Sequence, residues 1–190
     1  MRKVLAGVLA TALTAGLAAV LGGSPAHATA QAGCQYAKKQ VMIKNRGSGQ
    51  VLDVRGGATA NKSTVQLWPA RRNVNQRWYL YRCGTRADSP LVFQAVGSKK
   101  CLDMSLDGFE SPPPVYIYSC TPASATRNQR WLPGPGGYLF NVHGWRNSRN
   151  KGPTLTSSYS LQLDRHIARA VHPYSQAHQR PTQQWVLEYL

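Results

Sequence analysis

The sequence predicts a single all-β domain assembled from three copies of one unit, and three observations carry that reading. A Gln-x-Trp triplet recurs as Gln76-Arg77-Trp78, Gln129-Arg130-Trp131 and Gln183-Gln184-Trp185, with the tryptophans 53 and 54 residues apart. A period of that length, repeated three times, marks supersecondary units packed around a shared core. Each unit opens on a strand-like apolar run, Val41-Met42-Ile43, Leu91-Val92-Phe93 or Tyr138-Leu139-Phe140, and Gly, Ser or Asn turn material follows it. No convincing helix appears.

The first thirty residues stand apart from these units. Arg2 and Lys3 precede an apolar run from Val4 to Leu21, then Gly22-Gly23-Ser24-Pro25 and small residues at alternate positions through Ala26, Ala28 and Ala30. That order is an export signal, with cleavage expected after Ala28 or Ala30. The competing reading is a membrane anchor, but the run is only about eighteen residues, rich in Ala and Gly, and no second span follows. The expected product is therefore residues 31–190, extracellular and not membrane-bound, with repeats at about 38–82, 90–133 and 137–190.

The whole chain has 23 Lys plus Arg against 7 Asp plus Glu. Removing Arg2 and Lys3 leaves 21 basic and 7 acidic residues, a net charge of +14. Such a charge concentrates anionic partners near the surface and opposes self-association, so a monomer is expected. The four cysteines, Cys34, Cys83, Cys101 and Cys120, all lie in the exported part, and an even number in an oxidising compartment favours two disulfides. Their separations of 49, 18 and 19 residues offer none of the close pairs that a metal site uses. Neither a metal nor another cofactor is expected.

Repeats one and two align at several landmarks. Leu52-Asp53-Val54 matches Leu102-Asp103-Met104, Val65-Gln66-Leu67-Trp68 matches Val115-Tyr116-Ile117-Tyr118, and Asn75-Gln76 matches Asn128-Gln129. Cys101 and Cys120 occupy the places of Val51 and Ala70, and both pairs are 19 residues apart. Apolar residues at both places in the copy without sulfur imply that the two positions touch. The expected pairing is Cys101 with Cys120, which leaves Cys34 for Cys83.

Taken together, the Gln-x-Trp triplets, the Leu-Asp-Val and Val-Gln-Leu-Trp segments and the Asn-Gln pairs resemble the ricin B-type lectin family over essentially the whole exported part. The resemblance implies a β-trefoil, twelve strands forming a six-stranded barrel closed by three hairpins about a pseudo-threefold axis. It also implies non-catalytic binding of galactose- or xylose-type sugars.

A neutral sugar presents vicinal hydroxyls and one apolar C–H face. Its site needs a carboxylate acceptor, an aromatic platform and an amide donor. Repeat one supplies Asp53, Trp68 and Asn75, with Gln66 as a further polar contact, and all four match positions the family uses for galactose-type ligands. Repeat two supplies Asp103, Tyr118 and Asn128, with Tyr116 in place of the glutamine. Gln76 and Gln129 close the two sets as buried braces behind them. Trp78, Trp131 and Trp185 are read as core. Repeat three has Thr156 after Leu155 and Thr182 before Gln183, where the others have Asp and Asn, so its site is expected to be inactive. The basic and aromatic stretch from Leu161 to Arg180, with Asp164, Arg165, Arg169, His172, Tyr174 and His178, is read as a solvated insertion.

Catalysis is disfavoured. Glycoside hydrolysis needs two carboxylates about the bond, and only seven acids are present, two of them assigned above. His143, His166, His172 and His178 show no zinc spacing, and there is no Gly-x-Ser-x-Gly elbow. An inhibitor of proteases on the same fold lacks a recognisable reactive loop. The rival that survives is a binder of anionic polymers, acidic cell-wall material or nucleic acid, resting on the +14 charge and on the clusters Arg71-Arg72 and Arg146 to Lys151. Polysaccharide or glycoconjugate is the expected partner.

Overall fold

The computed structural model describes residues 33–107, 114–121, 127–143, 154–159, 166–171 and 181–190. The expected signal peptide, the Arg146 to Lys151 cluster and most of the Leu161 to Arg180 stretch lie outside those residues.

Among the described residues twelve strands run in chain order: β1 Gln35–Asn45, β2 Val51–Val54, β3 Ser63–Trp68, β4 Trp78–Arg82, β5 Leu91–Ala95, β6 Cys101–Met104, β7 Val115–Tyr118, β8 Trp131–Pro133, β9 Leu139–Asn141, β10 Thr154–Tyr159, β11 His166–Val171 and β12 Trp185–Tyr189. Short 3-10 turns lie between them at Arg55–Gly57, Val74–Gln76, Pro135–Gly137 and Pro181–Gln183. All pairings are antiparallel. The series β12-β1-β4-β5-β8-β9 forms the barrel wall. The remaining strands form three hairpins, β2–β3, β6–β7 and β10–β11, and β3 also pairs with β7 and with β11 where the hairpins meet. This is the β-trefoil that the resemblance implied.

Repeated hydrogen bonds show the pseudo-symmetry directly. The carbonyl of the residue inside each Gln-x-Trp triplet accepts an amide from the end of a neighbouring strand. Val96 donates to Arg77, Val142 to Arg130 and Arg46 to Gln184, at 2.8 to 2.9 Å. The tryptophans themselves are buried, as the sequence suggested: Trp78 and Trp131 fully, Trp185 nearly so. Burying an indole without a partner for its N–H is costly. Trp78 Nε1 accordingly donates to the Leu52 carbonyl and Trp131 Nε1 to the Leu102 carbonyl, which fastens each barrel strand to its own hairpin.

The hairpins alternate cleanly. Leu52, Val54, Val65 and Leu67 enter the main core, as do Leu102, Met104, Val115 and Ile117. Successive strand residues face opposite sides, so Asp53, Gln66 and Trp68, and likewise Asp103, Tyr116 and Tyr118, share the outer face of their hairpins. Cys34 is bonded to Cys83 and Cys101 to Cys120, as the repeat alignment predicted. A smaller cluster around Tyr79, Tyr81, Val92 and Cys101 packs against both bridges. Burial there, with the neighbouring Tyr36 and Tyr79, pushes the Tyr81 hydroxyl up to about 12.

Candidate sugar-binding sites

Strand register places the repeat-one set. Asp53 lies directly opposite Gln66, and Val51 opposite Trp68. Gln66 Nε2 donates to Asp53 Oδ1 at 3.2 Å. Trp68, two positions further along β3, is 40% exposed, the most open of the described tryptophans. Asn75 arrives from the 3-10 turn after β3, whose start is fixed by the Asn73 side chain accepting the Asn75 amide at 3.2 Å. Gly57, at a φ of +65°, brings the turn after β2 so close that a Cβ there would sit 2.9 Å from Asn75 Oδ1. That glycine was not singled out from sequence, although the Gly56-Gly57 pair is a turn signal.

Asp53 is 4% exposed. Burial raises its carboxyl above the ordinary range, opposed by hydrogen bonds from Gln66 and Gln76 and by the Arg71 charge. Gln76 is fully buried and acts as a bracket. Its Nε2 donates to the Pro69 carbonyl, and its Oε1 accepts the amides of Arg71 and Arg72. The position therefore supports the carboxylate and the adjoining loop instead of facing solvent.

Repeat two has the same frame with a different interior. Asp103 faces Tyr116, and Cys101 faces Tyr118. The two tyrosine rings lie 6.2 Å apart at 43°. Tyrosine cannot take the amide role of Gln66, and here Asn128 takes it: its Nδ2 donates to Asp103 Oδ1 at 2.9 Å and to the Met104 carbonyl at 3.1 Å. Gln129 Nε2 donates to Asp103 Oδ2 at 2.7 Å. Asp103 and Asn128 are 3% and 7% exposed, and Asn128 Oδ1 is buried without a partner. Burial lifts the Asp103 carboxyl to about 6, against the pull of Gln129 and Asn128, with the Asp107 charge adding to the rise. All the predicted members of this set are adjacent, but Asn128 already donates to protein groups, while Asn75 is half-exposed.

Among the described residues of repeat three the frame persists, with Thr156 and Thr182 where the other repeats have Asp and Asn. Pro181–Gln183 is the counterpart of Val74–Gln76, and Gln183 is buried. Thr182 offers its carbonyl to Asn45 Nδ2 at 2.9 Å. Thr156 pairs with Arg169 across the third hairpin, where the backbone alone is described.

Comparison with known proteins supports this reading of the frame. Residues 39–185 match the profile of the ricin-type beta-trefoil lectin domain. The ribosome-inactivating protein PMRIPt of Polygonatum multiflorum is 28% identical over 95 residues, half of this chain. The matched part is 14% of that protein, so the chain spans a small fraction of its relative's length. Among solved structures, the designed threefold-symmetric ThreeFoil superposes with a TM-score of 0.62 at 24% identity, covering 80% of this chain and 99% of that one. The C-terminal half of the earthworm R-type lectin in complex with GalNAc gives 0.54 at 18%, covering 80% and 99%. The exo-β-1,3-galactanase of Clostridium thermocellum gives 0.59 at 21%, covering 80% of this chain and 30% of that one. Likeness at these identities shows the fold, and the match across most of the sequence shows the lineage: the chain belongs to the ricin-type β-trefoil lectin domain family.

Proposed function

We propose that this protein is a secreted, monomeric sugar-binding module with no catalytic activity of its own. It uses two sites, one at Asp53, Gln66, Trp68 and Asn75 and the other at Asp103, Tyr116, Tyr118 and Asn128, with Gln76 and Gln129 as braces. Residues 1–30 direct export and residues 31–190 form the module. The observation that carries the reading is the outer face of the β2–β3 hairpin. It sets a hydrogen-bonded carboxylate one alternation away from a solvent-exposed indole. An apolar ring beside a carboxylate acceptor suits the two unlike surfaces of a galactose- or xylose-type ring. The earthworm lectin solved with GalNAc lends support to the galactose class. Two modest sites on one body favour a polysaccharide or glycoconjugate over a free monosaccharide.

The test is a glycan and polysaccharide binding screen at low and physiological salt, with the Asp53→Ala, Asp103→Ala double variant as control. Binding that withstands salt and disappears in the double variant is the expected result. Binding that collapses between about 50 and 200 mM salt and ignores both aspartates would replace the sugar reading with a purely electrostatic one.

A further inference from the structure

The two sites differ sharply at one comparable place. In repeat one, Gln76 Oε1 holds the amides of Arg71 and Arg72 at 2.7 and 3.1 Å, and Arg77 Nε holds the Arg72 carbonyl at 2.8 Å. In repeat two, Gln129 makes the same bracket around Thr121, accepting from its amide and its hydroxyl, each at 3.1 Å. One glutamine thus fixes the segment after the aromatic strand in both repeats. It anchors two guanidinium-bearing residues in the first and one neutral hydroxyl in the second.

Arg71 and Arg72 are exposed, and neither forms an ion pair among the described residues. The described acids outside the sites already have partners elsewhere: Glu188 with Lys44, Asp107 with Lys62 and Asp88 with Arg86. Guanidinium is a planar fork that matches carboxylate and sulfate oxygens. Arginines whose backbone is already tied down lose less freedom on binding.

We infer that the repeat-one site takes an acidic saccharide, its ring on Trp68 and Asp53 and its carboxylate or sulfate against Arg71 and Arg72. The inference rests on the sugar-binding reading of Asp53 and Trp68.

Trp68 supplies a site-specific signal. Its indole N–H resonance is followed in the full chain during titration with lactose, lactose 6'-sulfate and 6'-sialyllactose at physiological salt. At least one acidic sugar should bind about five-fold or more tightly than lactose, as expected for one or two partly exposed charge contacts. Whether the sulfate or the sialyl form gains names the anion. Arg71→Gln with Arg72→Gln should erase the preference and leave lactose binding intact, and that retained binding also shows that the variant folds. Lys38→Gln with Lys39→Gln, an equal loss of charge elsewhere, should keep the preference. Equal affinity for all three sugars overturns the inference. So does a preference that survives the arginine changes, or one that the lysine changes remove as well. A Trp68 signal that none of the three sugars moves overturns the sugar-binding reading of Asp53 and Trp68 on which the inference rests.

Discussion

Trp68 and Trp78 stand ten positions apart and do opposite work. Trp78 is fully buried and bonds the Leu52 carbonyl, so Trp78→Ala should cost about 3–5 kcal/mol in urea denaturation. Trp68 is 40% exposed, and Trp68→Ala should cost only about 1 kcal/mol, well short of Trp78→Ala, while removing detectable sugar binding at repeat one. A large stability loss in the second variant would show that Trp68 is structural. The aspartates differ as well. Folded Asp103, lifted to about 6, holds its proton more tightly than the unfolded chain does. Its stabilising contribution is therefore complete at low pH and is lost as pH rises from about 4 through about 6. Ligand binding runs the other way, because a hydroxyl needs the ionised carboxylate as acceptor. Binding at repeat two should weaken as pH falls below about 6. Repeat one should persist to lower pH, because Arg71 opposes the rise at Asp53 whereas Asp107 adds to it at Asp103. Calorimetric titrations of Asp53→Asn and Asp103→Asn between pH 7 and 5 separate the two sites, and identical pH profiles would refute the distinction.

At the scale of the element, hairpin alternation and turn geometry decide what reaches the surface. The internal repeat made Asp53, Gln66 and Trp68 legible as one set from sequence, and the pairing of β2 with β3 then puts them on one face. The inward turn of Asn128 was not legible. The sequence shows the same Asn-Gln pair in both repeats, and the difference arises because Tyr116 cannot donate the amide hydrogen that Gln66 gives Asp53. The closeness of Gly57 to Asn75 was hidden for a similar reason, since it depends on two turns meeting in space. Gly57→Ala should strain a left-handed residue and push a methyl into Asn75, weakening sugar binding at repeat one about ten-fold or more with a stability loss of about 1–3 kcal/mol. Unchanged affinity in that titration would remove Asn75 from the site. The Cys101–Cys120 bridge encloses a segment that repeat one holds without sulfur. Replacing both with the repeat-one residues, Cys101→Val and Cys120→Ala, should lower stability by about 3 kcal/mol, by the chain-entropy estimate for a loop of this size. Chemical denaturation of the variant beside the oxidised parent measures it.

Across the whole molecule, threefold repetition explains both what the sequence revealed and what it concealed. One buried tryptophan per unit was legible in the triplets, because a core position must recur wherever the unit recurs, whereas the matched amide-to-carbonyl bonds between neighbouring units emerge only in the structure. Binding groups are under no such constraint. Repeat three keeps Gln183 and Trp185 but has Thr156 and Thr182 in place of Asp and Asn, so the frame outlasts the polar set. The proposed function places two sites on different hairpins, which bears on how the protein would meet a polymer. A flexible polysaccharide held at one site presents further units to the other at an effective concentration of about millimolar, which should tighten polymer binding about ten-fold or more over the corresponding oligosaccharide. Surface plasmon resonance on an immobilised polysaccharide that passes the binding screen separates the contributions. Asp53→Ala and Asp103→Ala should each reduce the apparent affinity to that of a single site, and the pair together should abolish it. If Asp103→Ala alone binds the polymer as the parent does, repeat two, with Asn128 already bonded inward, is part of the fold and the protein grips sugar through repeat one alone.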